Sequence, residues 1–454
     1  MVMKISARKA YEKMPAKADS GKTRVKVASD TKSRVDNATV CVVGLGYVGQ
    51  PLVESFSRKL KVIGLDINKK RIAELTKANR NKNLVYTDDV KKIAQADFII
   101  ICVPTPVTKT KDPDLSLIKR AAATIGQNLK KGAVVILEST VYPGVTEEIV
   151  GPILENESGL KCGAGFKIAY APERVNPGDK EHTVDKITKV VAGMDKKTTD
   201  LVAELYTRII PDVFKASDIK TAEAAKVIEN IQRDLNIALM NELSIIFEKL
   251  HLDTRDVLDA ASTKWNFHRY SPGLVGGHCI PVDPYYLVHR ARELGYHSQV
   301  IAAGRSINDS MAKHVAEMTI KALNEVGKVI KDSRVLIMGL TYKENVSDTR
   351  ETPQKNLIEE LREYGVAVFG YDPLLDIAEA EEEYGIRMLS SLEKEDGFNA
   401  VILAVAHDVF KRGKHSISLD KLADVMNSRP VLVDIRRHYD GAEAKRRGFC
   451  YRTL

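Results

Sequence analysis

The chain has 454 residues, 44% of them apolar, which is too long for one ordinary core and sufficient for two or three. Its net charge of +8 does not mark a nucleic-acid surface, because residues 1–36 hold ten Lys/Arg against four Asp/Glu and the remainder is close to neutral. The longest apolar run, Phe98–Val103, suits a buried strand and not a membrane span. The N-terminus lacks the apolar stretch of an export signal, and five cysteines without motif spacing are no disulfide framework. The expectation is a cytoplasmic protein with no membrane or nucleic-acid partner.

Residues 1–37 read as a basic tail. From 38 to 214 short β-rich runs alternate with amphipathic helical patterns: Ala38–Val43, Lys61–Asp66, Phe98–Val103, Ala133–Leu137 and Lys167–Ala171. Such alternation predicts an α/β fold with a mainly parallel, doubly wound sheet. The first run leads into Gly44-Leu-Gly46-Tyr47-Val48-Gly49. In that spacing the first glycine permits a tight turn, the second lets backbone approach a pyrophosphate, and the third lets helix and strand pack closely. Asp66 ends the second run twenty residues after Gly46, where a carboxylate meets ribose hydroxyls and repels a 2′-phosphate. The expected cofactor is therefore NAD, with Arg71 close enough to complicate the choice. Pro104 and Thr105 follow the third run, at the sheet edge where a nicotinamide would lie. Cys41 and Cys102 sit in or beside apolar runs and read as core residues.

Residues 215–330 form a helical middle domain. Ser217 to Leu250 contains no Gly or Pro and predicts one helix of about 30 residues, a spine between two lobes. On it Lys226 and Asn230 stand at i and i+4 and share a face, either as a cation and an amide aimed at one oxyanion or as a solvated polar face. Further on, Gly276-Gly277-His278-Cys279-Ile-Pro-Val-Asp283-Pro-Tyr-Tyr is unusual for core packing. Its glycines allow close approach by a ligand and expose backbone N–H groups, and a thiol there is a candidate nucleophile. Residues 331–454 repeat the α/β alternation at Arg334–Met338, Val366–Tyr371, Ala400–Val405 and Val431–Asp434, giving a second Rossmann-like lobe. His278 and His407 lack the paired spacing of a metal site, so no metal is expected.

The Cys279 segment resembles the active-site signature of the UDP-glucose/GDP-mannose dehydrogenase family. So do Glu138-Ser-Thr140-Val-Tyr-Pro-Gly, Ala171-Pro-Glu173-Arg174-Val-Asn-Pro-Gly, Ala222-Glu-Ala-Ala-Lys226-Val-Ile-Glu-Asn230, Asn236–Glu242 and Gly339-Leu-Thr-Tyr-Lys343 with Asp348-Thr-Arg350. Gln232–Glu242, Thr263-Lys-Trp-Asn-Phe and the Gly-Leu-Val-Gly-Gly-His-Cys loop resemble its UDP-N-acetylglucosamine and UDP-N-acetylgalactosamine 6-dehydrogenase branch. Ser271 stands where that branch often has an arginine, and Arg269 lies two residues earlier.

The resemblance implies an NAD-dependent, four-electron oxidation of a C6 alcohol to a carboxylate. Asp283 would act as base with an ordered water, Lys226 and Asn230 would stabilise oxyanions, and Cys279 would hold the aldehyde and then a thioester. Thr140 and Glu173 would position the hydrolytic water. Glu173, Arg174, Lys226, Asn230, Gly276, Gly277 and Lys343 would contact substrate. Arg350 would serve the cofactor or an interface, and Arg436 is either a substrate cation or a surface charge. A homodimer is expected. UDP-N-acetylglucosamine is the first choice of sugar, followed by the galacto and manno isomers and UDP-glucose. A two-electron hydroxyacid-type dehydrogenase and a nucleotide-sugar-binding protein without turnover are the rival readings.

Overall fold

The computed structural model describes residues 34–174, 186–411 and 416–454. The basic tail lies outside them except for its last four residues, which already pack on the first lobe: Val35 is buried and Asp36 pairs with Arg208 at 2.8 Å.

The apolar runs form strands because each buries both faces. β1 (Thr39–Val43) and β4 (Phe98–Ile101) lie side by side in a sheet that also holds β2 (Lys61–Leu65), β3 (Leu84–Thr87), β5 (Val134–Leu137), β6 (Lys167–Tyr170), β7 (Lys189–Gly193) and β8 (Val213–Lys215). Their order is β3-β2-β1-β4-β5-β6-β7-β8. Alternate residues feed different cores: Cys41, Val43, Ile99 and Ile101 face one, while Val40, Val42, Phe98 and Ile100 face the other. Pairing is parallel except between β6 and β7, where Ala169 faces Gly193. The sequence reading missed β3, β7 and β8 of this sheet; β3 and β8 are only partly buried, and β7 opens on a lysine.

The spine helix, Ile219–Lys249, has 31 residues. Asp218 caps it, its carboxylate accepting from Thr221 N at 2.7 Å. Against it pack the helices Asp283–Glu293 and Val300–Glu325. The second sheet, in order β11-β10-β9-β12-β13-β14, comprises β9 (Arg334–Met338), β10 (Ala367–Tyr371), β11 (Arg387–Met388), β12 (Phe398–Leu403), β13 (Met426–Asp434) and β14 (Cys450–Arg452). All its pairings are parallel. The chain is thus α/β, two Rossmann-like sheets flanking a helical middle. Among the described residues no helix is long and apolar enough to cross a membrane.

Candidate functional site

At the end of β1, Gly44 adopts φ +95°, and a Cβ there would lie 2.9 Å from Cys102 O. A Cβ on Gly49 would overlap Gly44 O, whereas one on Gly46 would meet nothing within 4 Å. The first and third glycines therefore serve the turn and the helix contact, and the second leaves backbone open to a ligand. Asp66 is half-buried; its carboxylate accepts from Leu45 N at 2.8 Å and from Asn68 N at 2.9 Å, which ties the second strand to the glycine turn. Val48 packs inward and Tyr47 is 70% exposed. Arg71 bonds Gln50 across the neighbouring helices. This open turn and fixed carboxylate fit an NAD pyrophosphate and adenosine ribose. Beyond β4, Pro104 is exposed and Thr105 half-buried, and Tyr286 OH donates to Thr105 O at 2.9 Å.

The spine brings the polar centre together. Lys226, Asn230 and Asp283 are all buried, although they lie far apart in sequence. Asn230 Nδ2 donates to Asp283 Oδ2 at 2.6 Å, and Lys226 Nζ stands 3.6 Å from the same oxygen. Burial pushes the Asp283 carboxyl up from its ordinary value, against the pull of Lys226 and Asn230. For Lys226 burial acts downward, yet the negative charges of Asp283, Cys279, Glu229 and Glu173 outweigh it and raise the ammonium. Asp283 begins the helix Asp283–Glu293, and its N–H bonds Cys279 O at 2.9 Å, so carboxyl and thiol are fixed by one turn of chain.

Cys279 is exposed at its surface, whereas Cys41 and Cys102 are buried. The protein packed around Cys279 and then Asp283 push the thiol up, while Lys226, Arg233 and Arg350 draw it down. Arg233 was not singled out in the sequence; it continues the Lys226–Asn230 face one turn further along the spine.

The loop glycines depart from expectation. A Cβ on Gly276 would lie 2.6 Å from Pro353 Cδ and 2.9 Å from Glu351 O, and one on Gly277 would lie 2.8 Å from the Tyr342 ring. Gly277 N–H is already given to Glu351 O at 3.1 Å. These glycines let the C-terminal lobe approach the cysteine loop, so the expectation of an open N–H at Gly277 is corrected. Neighbouring contacts reinforce the junction. Asp348 holds Arg350 at 2.7 and 2.9 Å, and the guanidinium lies 4.5 Å from the centre of the Tyr47 ring.

Thr140, half-buried, lies three residues past β5 and Glu173 three residues past β6, so both follow the C-terminal ends of adjacent strands. Arg174 pairs with Glu229 at 2.7 Å and donates to Thr188 O at 2.7 Å, while its own N–H is accepted by Glu173 Oε1 at 2.7 Å. The Arg174 guanidinium is thus engaged with Glu229. Beneath Glu173 lies a buried group that sequence reasoning missed. Glu138 pairs with Lys189 and accepts from Tyr206 OH at 2.6 Å. Its sequence signals were Glu138 at the head of the Glu138-Ser-Thr140 motif and the lysine that opens an otherwise apolar β7.

Lys343 is half-buried in the loop after β9, with its carbonyl accepting from Thr341 Oγ1 at 3.0 Å. The adjacent Glu344 lines a cleft of about 370 Å³ that also gathers Arg255, Arg269, Arg436 and Arg437. Each of the four guanidinium groups also has a carboxylate nearby: Asp253 at 2.7 Å from Arg437, Asp259 beside Arg255 and Arg269, and Glu344 at 3.9 Å from Arg436. Arg269 and Ser271 share that cleft. His407 is buried beside Asp372, well inside the C-terminal lobe.

Family models match three successive parts of the chain, all from the UDP-glucose/GDP-mannose dehydrogenase family: its NAD binding domain over residues 38–210, its central domain over 220–310 and its UDP binding domain over 336–441. Protein CapL of Staphylococcus aureus is 49% identical over 398 residues, covering 85% of this chain and 94% of that protein. A UDP-N-acetyl-D-glucosamine 6-dehydrogenase of Salmonella typhi is 45% identical over 391 residues, covering 83% and 92%. The structure of a UDP-D-ManNAc dehydrogenase from Pyrococcus horikoshii superposes with a TM-score of 0.81 at 30% identity, covering 92% of this chain and 99% of that one. The chain therefore belongs to the UDP-glucose/GDP-mannose dehydrogenase family and is an NAD-dependent nucleotide-sugar dehydrogenase.

Proposed function

We propose that the protein oxidises the C6 alcohol of a UDP-N-acetylhexosamine, UDP-N-acetylglucosamine first, to the uronate through a thioester on Cys279. The observation that carries this reading is the convergence of Lys226, Asn230 and Asp283 beside the turn that bears the thiol. The choice of sugar draws on the Salmonella relative, named for UDP-N-acetyl-D-glucosamine.

Asp283, acting with an ordered water, removes the C6 hydroxyl proton, and its raised carboxyl makes it a stronger base than an exposed aspartate. The Lys226 ammonium stabilises the alkoxide. NAD, when bound, accepts a hydride in each of the two oxidations. Between them the Cys279 thiolate adds to the aldehyde carbon, forming a C–S bond, and the resulting oxyanion is met by Lys226 and the Asn230 amide. An aldehyde held this way cannot diffuse off. After the second oxidation water adds to the acyl carbon, the C–S bond breaks, and sulfur leaves as thiolate. Thr140 and Glu173 position that water.

Gly44, Gly46, Gly49 and Asp66 serve the cofactor, joined by Tyr47, Val48, Arg71, Pro104, Thr105 and Arg350. The diphosphate is taken by Lys343 and the arginine cleft, since Arg436 and Arg269 bring permanent cations to a partly enclosed surface. We also read the enzyme as a cytoplasmic homodimer. Its thiol must stay reduced, and all five cysteines are free. Ile228, Leu239 and Ile246 form an exposed apolar stripe along one face of the spine.

The deciding measurement is stoichiometry with purified protein, NAD and a panel of UDP-sugars. Two NADH per uronate, with UDP-N-acetylglucosamine leading in kcat/KM, is the expected result. One NADH per product overturns the thioester route, and a UDP-glucose preference overturns the choice of sugar. Sedimentation at micromolar protein as a monomer removes the dimer.

A further inference from the structure

The loop carrying Cys279 runs from Gly273 to Val282 without a helix or strand. Such a loop can hold a thiol in register only if its ends are fixed from outside.

Its entry is held by Asn241, fully buried on the spine helix. Asn241 Oδ1 accepts from Gly273 N at 2.8 Å, and its Nδ2 donates to Gly273 O at 3.1 Å and to Asn308 Oδ1 at 2.8 Å. One side chain thus satisfies both backbone groups of Gly273. Behind it Asn308 Nδ2 donates to Asp234 O at 3.0 Å and Asp234 Oδ1 at 2.7 Å, and that carboxylate meets Arg305 Nη1 at 2.5 Å. Asp234, Asn308 and Arg305 are all buried where the spine crosses the helix Val300–Glu325.

The exit of the loop reaches the same group. Arg305 also pairs with Asp309, whose Oδ2 accepts from Tyr285 OH at 2.9 Å, and the Arg305 guanidinium lies 5.9 Å from the Tyr285 ring centre. Tyr285 stands two residues into the helix that Asp283 opens. One polar chain, buried as far as Arg305 and reaching the surface at Asp309, therefore runs from Gly273, six residues before the thiol, to Tyr285, six residues after it.

We infer that Asn241, Asn308, Asp234, Arg305 and Tyr285 are positioning residues that set the Cys279 loop from both ends. This deepens the proposed function, since it rests on Cys279 being the nucleophile. None of the five needs to touch substrate. The same chain aligns the arginine cleft, because Gly273 lies directly under Arg436: a Cβ there would stand 2.9 Å from Arg436 Nη1.

Asp234 and Arg305 are poor probes, because removing Arg305 leaves a buried carboxylate without its counter-charge and removing Asp234 leaves the buried guanidinium only the exposed Asp309. Asn241→Ala and Tyr285→Phe remove neutral groups. In the full-length enzyme three quantities are compared with wild type: kcat and KM for UDP-N-acetylglucosamine, the Kd for NAD, and the rate at which iodoacetamide alkylates Cys279, followed by peptide mass. Asn241→Ala is expected to lower kcat by about 10²-fold, the scale of an ångström of misplacement, with NAD affinity unchanged. Tyr285→Phe gives a smaller loss in the same direction, and the Cys279 alkylation rate departs from wild type in both. If Asn241→Ala does not fold, Tyr285→Phe alone decides. Unchanged kcat and alkylation in the folded variants overturn the inference. Alkylation needs no substrate, so an altered rate supports loop positioning even if the panel shows no turnover, a result that would count against the proposed reaction instead.

Discussion

The two sheets of this chain begin with the same device and put it to different uses. β1 runs into Gly44 at φ +95°, and β9 into Gly339 at φ +80°. The next N–H, Leu45 or Leu340, goes to the carboxylate that ends the neighbouring strand, Asp66 or Asp372, at 2.8 Å in each case. In both lobes the other carboxylate oxygen accepts the N–H two residues on, Asn68 at 2.9 Å and Leu374 at 3.0 Å.

From there the lobes part. Asp66 remains half-buried, whereas Asp372 is buried and its Oδ2 also faces His407 Nε2 at 3.1 Å. His407 Nδ1 accepts from Asn345 N at 2.9 Å, so the ring proton sits on Nε2 and points at the carboxylate. In the first lobe a helix starts at Gly49; in the second the next helix starts only at Gln354. The residues between carry Lys343 and supply Glu344, Arg350 and Glu351, which reach the arginine cleft, Tyr47 and the cysteine loop respectively. One supersecondary unit thus leaves its carboxylate and glycine turn open at the edge of the NAD binding domain. Its relative consumes the carboxylate internally and extends the turn into a cation-bearing junction. Fold alone does not choose the ligand.

The comparison requires both lobes to serve a single thiol. Cys279→Ser is expected to lower uronate formation on the order of 10⁴-fold or more, read as NADH per uronate under single turnover. Full turnover by that variant breaks the scheme at its centre. Gly49→Val introduces an overlap with Gly44 O and should weaken NAD by about 10²-fold, near the upper end of what overpacking costs, with UDP affinity unchanged by calorimetry. Lys343→Ala should show the reverse pattern, losing about 10- to 10²-fold in UDP affinity, as one charge-assisted hydrogen bond predicts, while NAD binding stays.

His407→Phe tests the plugged carboxylate. It strips Asp372 of a buried donor and should cost about 1–3 kcal/mol in denaturant unfolding. Asp66→Asn, at a carboxylate still reached by solvent, should cost less and instead reduce the preference for NAD over NADP. Equal stability losses at the two positions would erase the distinction between the lobes. The smallest effect concerns pH. Because burial raises Asp283, its basic form is lost at a higher pH than for an exposed aspartate near 3.9, so kcat/KM should climb with pH through a limb above that value. A limb at the ordinary carboxylate pKa places the base elsewhere.

Local patterns carried much of this into view before any coordinates. Apolar run length marked β1, β2, β4, β5, β6, β9 and β10 to within about two residues of their ends, and the lack of Gly and Pro marked the spine. Helical spacing put Lys226 and Asn230 on one face, and the family motifs named Thr140, Glu173, Cys279 and Asp283. These signals survive in sequence because each depends on neighbours only a few residues away. What tertiary structure alone decided depends on distant partners. Gly276 and Gly277 face Pro353 and Tyr342 rather than open space, Lys189 closes on Glu138, four arginines from two domains share one cleft, and Asn241 holds Gly273. A residue's type limits what it can bond, but its partner is set by how helices and sheets cross. No spacing along the chain encodes that crossing.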